Sequence, residues 1–277
     1  MKTTIWDWEK TTKGNREQRA GTFDQIAELY DLVRRECPEQ LFDDLFANLP
    51  IEPAKTDVLE IGCGTGQATL PLARRGCRVI AVEMGANLSR IAQRKLAGFE
   101  KVEIVNSRFE DWEPARRFDL VLAVTSWHWL DPIVRYRKAA ASLKPGGTLA
   151  FTTVNPAFPP GFDSFFIEIQ DCYEAVGAGR LEFPQPLPDE IQDARDEIEQ
   201  SGFFEDVRVV RRLGTQELTA DEYVAFMTTA SGLRLMEPAK REQLFAEMRR
   251  LINMRPGGRI LIHDLTILHL ARVKSQP

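Results

Sequence analysis

What this chain of 277 residues has little of narrows its chemistry first. Its four cysteines, Cys37, Cys63, Cys77 and Cys172, form no CxxC pair and have no histidine at ligand spacing. That argues against a structural zinc site and a disulfide framework, and predicts free thiols in a reducing, cytoplasmic setting with no metal. There is no excess of basic charge: 36 Lys and Arg face 41 Asp and Glu, a net charge of −5. A nucleic-acid partner, which needs a basic surface, is not expected. No apolar run approaches the ~20 residues of a membrane span, and Met1 to Trp8 lack a signal-peptide apolar core. Internal repeats and low-complexity tracts are absent too.

What is present centres on Asp57-Val58-Leu59-Glu60-Ile61-Gly62-Cys63-Gly64-Thr65-Gly66-Gln67. This reads as a buried strand breaking into a glycine turn and then a helix. Gly62, Gly64 and Gly66 allow positive φ and let a ligand approach the main chain without Cβ clashes. Similar glycines mark dinucleotide sites. Here, however, the residue after Gly66 is Gln67, so the third glycine of that fingerprint is missing. Glu83 ends the next apolar run about 20 residues on, where a ribose-binding carboxylate is expected; its chemistry fits either cofactor. Glu60 discriminates, because a carboxylate is repelled by a pyrophosphate and attracted by an ammonium or sulfonium.

Val58 to Gly66 resembles the first motif of class I S-adenosylmethionine-dependent methyltransferases. The resemblance runs from about Phe23 to the C-terminus and is specific up to about Phe151. It implies that Glu60, Gly62, Cys63, Gly64 and Gly66 pack against the methionine half of S-adenosyl-L-methionine. Glu83 would hold the ribose hydroxyls, with Met84 against the adenine, and the helix carrying Tyr30 would lie near the cofactor. After the third strand the family places an acid against the adenine amino group, followed by a backbone amide on the ring. Arg108 stands at the acid position here, a departure; Phe109 retains the backbone contact, and Glu110 or Asp111 accepts instead. Val124 and Thr125, at the end of the fourth strand, complete the cofactor set.

Ser126-Trp127-His128-Trp129-Leu130 follows, at the strand edge where open α/β sheets bind ligands. This run resembles the His-Trp pattern of small-molecule methyltransferases of the trans-aconitate type. It implies a substrate side built from Trp127, His128 and Trp129. His128 is the candidate general base or orienting residue, with a packed structural histidine as the alternative; a carboxylate acceptor needs no base. His263 and His269, on the last strand, read as structural. For an acidic acceptor, Arg180, Arg234 and Arg259 are equal candidates.

The rest of the chain alternates helix and strand. Thr22-Phe23-Asp24-Gln25 predicts a capping box opening a helix to about Arg35. Another helix follows Cys37-Pro38. Strands are predicted at 57–61, 78–82, 102–106, 118–124 and 147–153, with continuous apolar runs that suit a parallel sheet covered on both faces. Asp131-Pro132 predicts a helix start, and Lys144 to Gly147 a helix stop and tight turn. Beyond 154 come a helix around Phe165 to Tyr173, a helix at about 189–201, a strand at 206–213, a capping box at Thr219 to Glu222, a helix over about 238–253 and a final strand at about 259–271. The expected architecture is a Rossmann-like, doubly wound seven-stranded sheet with an antiparallel last strand. Residues 1–21 read as an N-terminal arm, possessing Trp6 and Trp8, and 22–277 as the domain. By the resemblance, 154–187 and 214–256 are lid insertions.

The resulting expectation is in-line methyl transfer to a small-molecule acceptor, on oxygen of a carboxylate or hydroxyl, by a monomer or homodimer. A nicotinamide-dependent oxidoreductase and a non-catalytic S-adenosylmethionine-binding protein are the alternatives.

Overall fold

The computed structural model describes residues 16–34 and 36–274. Trp6, Trp8 and the first fifteen residues of the expected arm lie outside them. The helices are α1 Arg16–Asp24, α2 Ala27–Val33, α3 Glu39–Ala47, α4 Thr69–Arg74, α5 Ala86–Leu96, α6 Arg135–Ser142, α7 Phe165–Glu168, α8 Gln170–Ala175, α9 Arg195–Gln200, α10 Ala220–Thr228, α11 Ser231–Arg234 and α12 Pro238–Asn253. The strands are β1 Asp57–Ile61, β2 Arg78–Glu83, β3 Val102–Asn106, β4 Phe118–Val124, β5 Leu143–Pro156, β6 Phe204–Thr219 and β7 Arg259–Val273. They form one sheet in the order β3-β2-β1-β4-β5-β7-β6. β1 to β5 pair in parallel, and the last strands run antiparallel, as expected from the sequence.

The chain divides into two compact units. One holds 24–153, 193–211 and 267–277; the other holds 1–23, 154–192 and 212–266. The first unit contains both covered faces of the parallel strands. Period-two alternation within β1 and β4 sends Leu59, Ile61, Val121 and Ala123 to one cluster. Val58, Leu120 and Leu122 go to the other. Each Val, Leu or Ile side chain among them, fully buried, stabilises the fold by about 1.5–3 kcal/mol. The second unit has its own core, with Phe165, Tyr173, Tyr223, Leu244 and Met248 at its centre.

Local signals were overridden in several places. Residues 16–21 begin α1 and do not continue an arm. The capping box expected at Thr22 does not form. Thr22 Oγ1 donates back to the Arg19 carbonyl at 2.7 Å, the helix ends at Asp24, and α2 starts without a side-chain cap. Asp24 instead caps α5, accepting from the backbone N–H groups of Asn87 at 2.7 Å and Leu88 at 3.0 Å. Orphan amides at a distant helix start compete for that carboxylate and win. Asp131 likewise starts a turn, accepting from Ile133 N–H at 2.9 Å, and α6 proper begins at Arg135. Lys144 to Gly147 lie within the start of β5, where the register against β4 shifts between Phe118 and Leu120; Gly146 takes φ 77° there. The helix expected from 189 begins at Arg195. By contrast Thr219 and Glu222 make both halves of a capping box for α10, and α12 spans Pro238–Asn253 as its periodicity predicts.

Candidate functional site

The order β3-β2-β1-β4 puts the switch in strand order between β1 and β4, and ligands of open α/β sheets bind outside the carboxyl ends of strands there. The glycine turn leaves β1 at this point, and the Thr125 to Leu130 turn leaves β4 beside it.

Gly62, Gly64 and Gly66 take φ of 69°, 58° and 91°. At Gly62 the reason is tertiary as well: a Cβ there would lie 2.6 Å from Ser126 Cβ. The turn is tied together by its neighbours. Gln67 folds back, donating from Nε2 to Thr65 Oγ1 at 2.7 Å and accepting from Thr65 N–H at 3.2 Å. Thr65 Oγ1 donates to Asp31 Oδ1 at 2.6 Å, and Asp31 is paired with Lys95. The residue that breaks the dinucleotide fingerprint is therefore the clasp of this turn. The distant contacts of Asp31, Thr65 and Asp24 gave no sequence signal, because the partners are 34 to 64 residues away.

Two carboxyls converge on the turn. Glu83 is buried and accepts from Gly64 N–H at 2.9 Å and Gly85 N–H at 2.8 Å. Burial pushes its pKa up, against the pull of those two amides. Each oxygen keeps a further lone pair for a ligand hydroxyl. Glu60 is only 1% exposed, and its Oε2 has no hydrogen-bond partner among the described residues. Burial raises its pKa to about 7; the nearby Thr69 hydroxyl lowers it and the Glu83 charge raises it further. Thr69 Oγ1 is beside the carboxyl but itself unpartnered, so it does not complete a hydrogen bond. Cys63 is held as an inert thiol, its pKa raised by burial and then by Glu60 and Glu83. Burial likewise pushes Cys37 up to about 12 and Cys77 up to about 11.

The other expected site residues fall as follows. The Tyr30 ring comes within 3.7 Å of where a Gly64 Cβ would sit, and its phenol feels the Glu83 charge after the larger effects of burial and Arg34. Met84 is 43% exposed, open to a flat ring. Arg108 lies 3.6 Å from Asp111 and 3.9 Å from Glu110. Glu110 also accepts from Asp131 N–H at 3.0 Å, bracing the turn after β4. The Phe109 side chain is buried in the core. Thr125 is exposed, with Val124 half-buried before it. Trp127 does not face outward: it is 3% exposed, stacked on Phe151 at 5.0 Å and edge-on to Tyr136 at 5.1 Å. Of the three expected substrate-side residues, His128, exposed, and Trp129, half-buried, remain at the surface, with ring centroids 4.6 Å apart.

Among the other candidates, His269 is buried on Phe151 and accepts from Ala194 N–H at 3.0 Å, and His263 Nδ1 lies 2.9 Å from Thr215 Oγ1. Arg180 is paired with Asp171 and Glu174, and Arg259 with Glu217 at 3.6 Å. Among the described residues Arg234 has no acidic partner, and burial followed by the Arg241 charge lowers its pKa. A cavity of about 580 Å³ in the second unit is lined by Asp163, Glu168, Arg255 and Arg259, among others. Its charges are already paired, Arg255 with Asp163 at 2.8 Å and Glu168 at 3.0 Å. Among the described residues no group of three or more His, Cys, Asp or Glu could hold a metal ion, and no helix is long and apolar enough to cross a membrane.

Residues 58–147 match the family model described as a methyltransferase domain. The chain is 26% identical over 165 residues to the malonyl-acyl-carrier-protein O-methyltransferase of Priestia megaterium, 57% of each chain. It is 34% identical over 110 residues to the trans-aconitate 2-methyltransferase of an Azoarcus species, 39% of this chain and 42% of that one. The chain thus matches about half the length of these curated relatives. A candidate type II methyltransferase structure from Anaeromyxobacter dehalogenans superposes with a TM-score of 0.61 at 21% identity, covering 86% of this chain and 97% of that one; at that identity the likeness is one of fold.

Proposed function

We propose, for a chain whose residues 58–147 form a methyltransferase domain of the class I S-adenosylmethionine-dependent kind, that it methylates an oxygen of a small-molecule acceptor. The observation that supports the donor is Glu60: a buried carboxyl beside a glycine turn, with one oxygen unpartnered among the described residues, is suited to meet a cation. The turn fits the rest of the donor, since three glycines at positive φ leave main chain open where side chains would intrude. S-adenosylmethionine supplies a methyl group made electrophilic by its sulfonium.

The chain's own residues then align and shield. Glu83 receives the ribose hydroxyls, Met84 covers the adenine, and Glu60 faces the positive charge of the methionine half. His128 and Trp129 stand on the acceptor side. Displacement at the methyl carbon requires the acceptor oxygen in line with the carbon–sulfur bond, with water excluded. His128 takes the proton when the acceptor is a hydroxyl; a carboxylate attacks unaided. The names of both relatives support an acidic or carboxyl-bearing acceptor for this chain. The nicotinamide alternative is not favoured, given the methyltransferase match and Gln67.

The test is calorimetric titration with S-adenosylhomocysteine, followed by transfer of labelled methyl from S-adenosylmethionine to a panel of organic acids and phenols that includes trans-aconitate. Saturable binding with label on oxygen is expected. No binding of S-adenosylhomocysteine removes the donor assignment, and label on nitrogen or carbon removes the acceptor assignment.

A further inference from the structure

Two described residues other than glycine take positive φ: Asp206 and Thr125, both at 54°. Aspartate enters that region with some ease, whereas a β-branched side chain there is a genuine outlier. Thr125 is exposed, so no burial of its own side chain offsets the strain. Its neighbours hold it. Val124 pairs with Thr152 across β4 and β5, and the Thr125 N–H donates to Thr152 Oγ1 at 3.0 Å. Thr152 is fully buried.

The consequence lies one residue on. With Thr125 facing out, Ser126 faces in. Its hydroxyl donates to the carbonyl of Ile61, the last residue before the glycine turn. Its Cβ occupies the space a side chain on Gly62 would need. Its own carbonyl accepts from Trp129 N–H at 3.0 Å, which fixes the turn bearing His128. One strained residue therefore joins β5, the glycine turn and the acceptor-side turn. Strain of this kind persists where the surroundings over-determine it, and it concentrates at working sites.

We propose that Thr152 is a positioning residue. By holding the left-handed backbone of Thr125 it presses Ser126 against Gly62 and so preorganises the glycine turn for the methionine half of the methyl donor. The role rests on the donor assignment above. A plain structural role for the same residues predicts that stability and binding change together; a positioning role separates them.

Three variants and one probe, S-adenosylhomocysteine, test it. T125G relieves the strain and removes an exposed side chain, so its Tm is expected to rise by about 2–4 °C. Its affinity for S-adenosylhomocysteine is expected to fall about tenfold, because the bracket is no longer held in one shape. T152V keeps the volume but loses the acceptor, and is expected to bind at least tenfold more weakly; T152S, which keeps the hydroxyl, is expected to bind like wild type. T125G with wild-type affinity, T125G with a lowered Tm, or T152V with wild-type affinity each overturns the proposal. If T152V does not fold, T125G alone decides. Wild-type protein that binds no S-adenosylhomocysteine overturns the donor assignment and this role with it, whereas binding by wild type and T125G alike overturns this role only.

Discussion

Replacing Glu60 with glutamine should make the protein more stable at alkaline pH and worse at holding its methyl donor. Glu60 has an ordinary value of 4.5, raised in the folded protein to about 7, first by burial and then by Glu83. Between those values the native state retains a proton that the unfolded chain has released. Stability therefore falls as pH rises through this window and levels off above it. Each pH unit of the window is worth about 1.4 kcal/mol, so by pH 8 the ionised carboxylate costs the native state about 3 kcal/mol, and at pH 4 nothing. Glutamine cannot ionise. Its buried amide brings an unpaired group of its own, costing about 1–3 kcal/mol, but that cost is the same at every pH. The readout is the difference between E60Q and wild type in urea unfolding at pH 4.5 and at pH 8. The variant should gain about 3 kcal/mol relative to wild type on going from the first to the second. The same variant should bind S-adenosylmethionine about 10–100-fold more weakly at pH 8, the worth of one charge-assisted contact. A difference that moves by less than about 0.5 kcal/mol between the two pH values would show that folding leaves the Glu60 pKa close to its ordinary value, and burial would then not raise it.

Other consequences can be measured separately. G62A adds a left-handed alanine, about 1–2 kcal/mol, and a clash with Ser126, about 1–3 kcal/mol; thermal unfolding should show the loss, and S126G in the same chain should recover the second part but not the first. An additive double mutant would mean that the 2.6 Å approach is relieved some other way. D24A removes the carboxylate that caps α5 and should cost about 1–2 kcal/mol in denaturant unfolding; a neutral outcome would assign the cap to water. H128N should slow methyl transfer to a hydroxyl acceptor by about 10²–10⁴-fold. With a carboxylate acceptor it should cost less than about tenfold. A large loss on a carboxylate would contradict the proposed division of labour.

Much of the sheet and the backbone of the glycine turn was legible in the sequence, because both are written in short-range signals. Continuous apolar runs place β1 to β4 within a residue of their bounds, and the positive φ of Gly62, Gly64 and Gly66 follows from the residue type itself. Errors cluster where a side chain serves a distant partner. Asp24 was read as local and caps α5. Trp127 was read as substrate-facing because aromatic residues at a strand end suggest a pocket; stacking on Phe151, 24 residues away in the chain, takes it into the core. Nothing in the local pattern distinguishes Trp127 from Trp129, since a short turn of 3-10 helix decides which ring points inward.

The sequence by itself determined the kind of fold and the form of the glycine turn, through strand hydrophobicity and glycine conformational freedom. Only the tertiary structure decided the protonation of the carboxyl beside that turn and the tension in its frame. Burial, which no single residue encodes, lifts Glu60 to about 7. The Thr125 N–H meets Thr152 only because β4 and β5 lie side by side. Desolvation and strain are properties of neighbours in space, and a chain acquires them only when it folds.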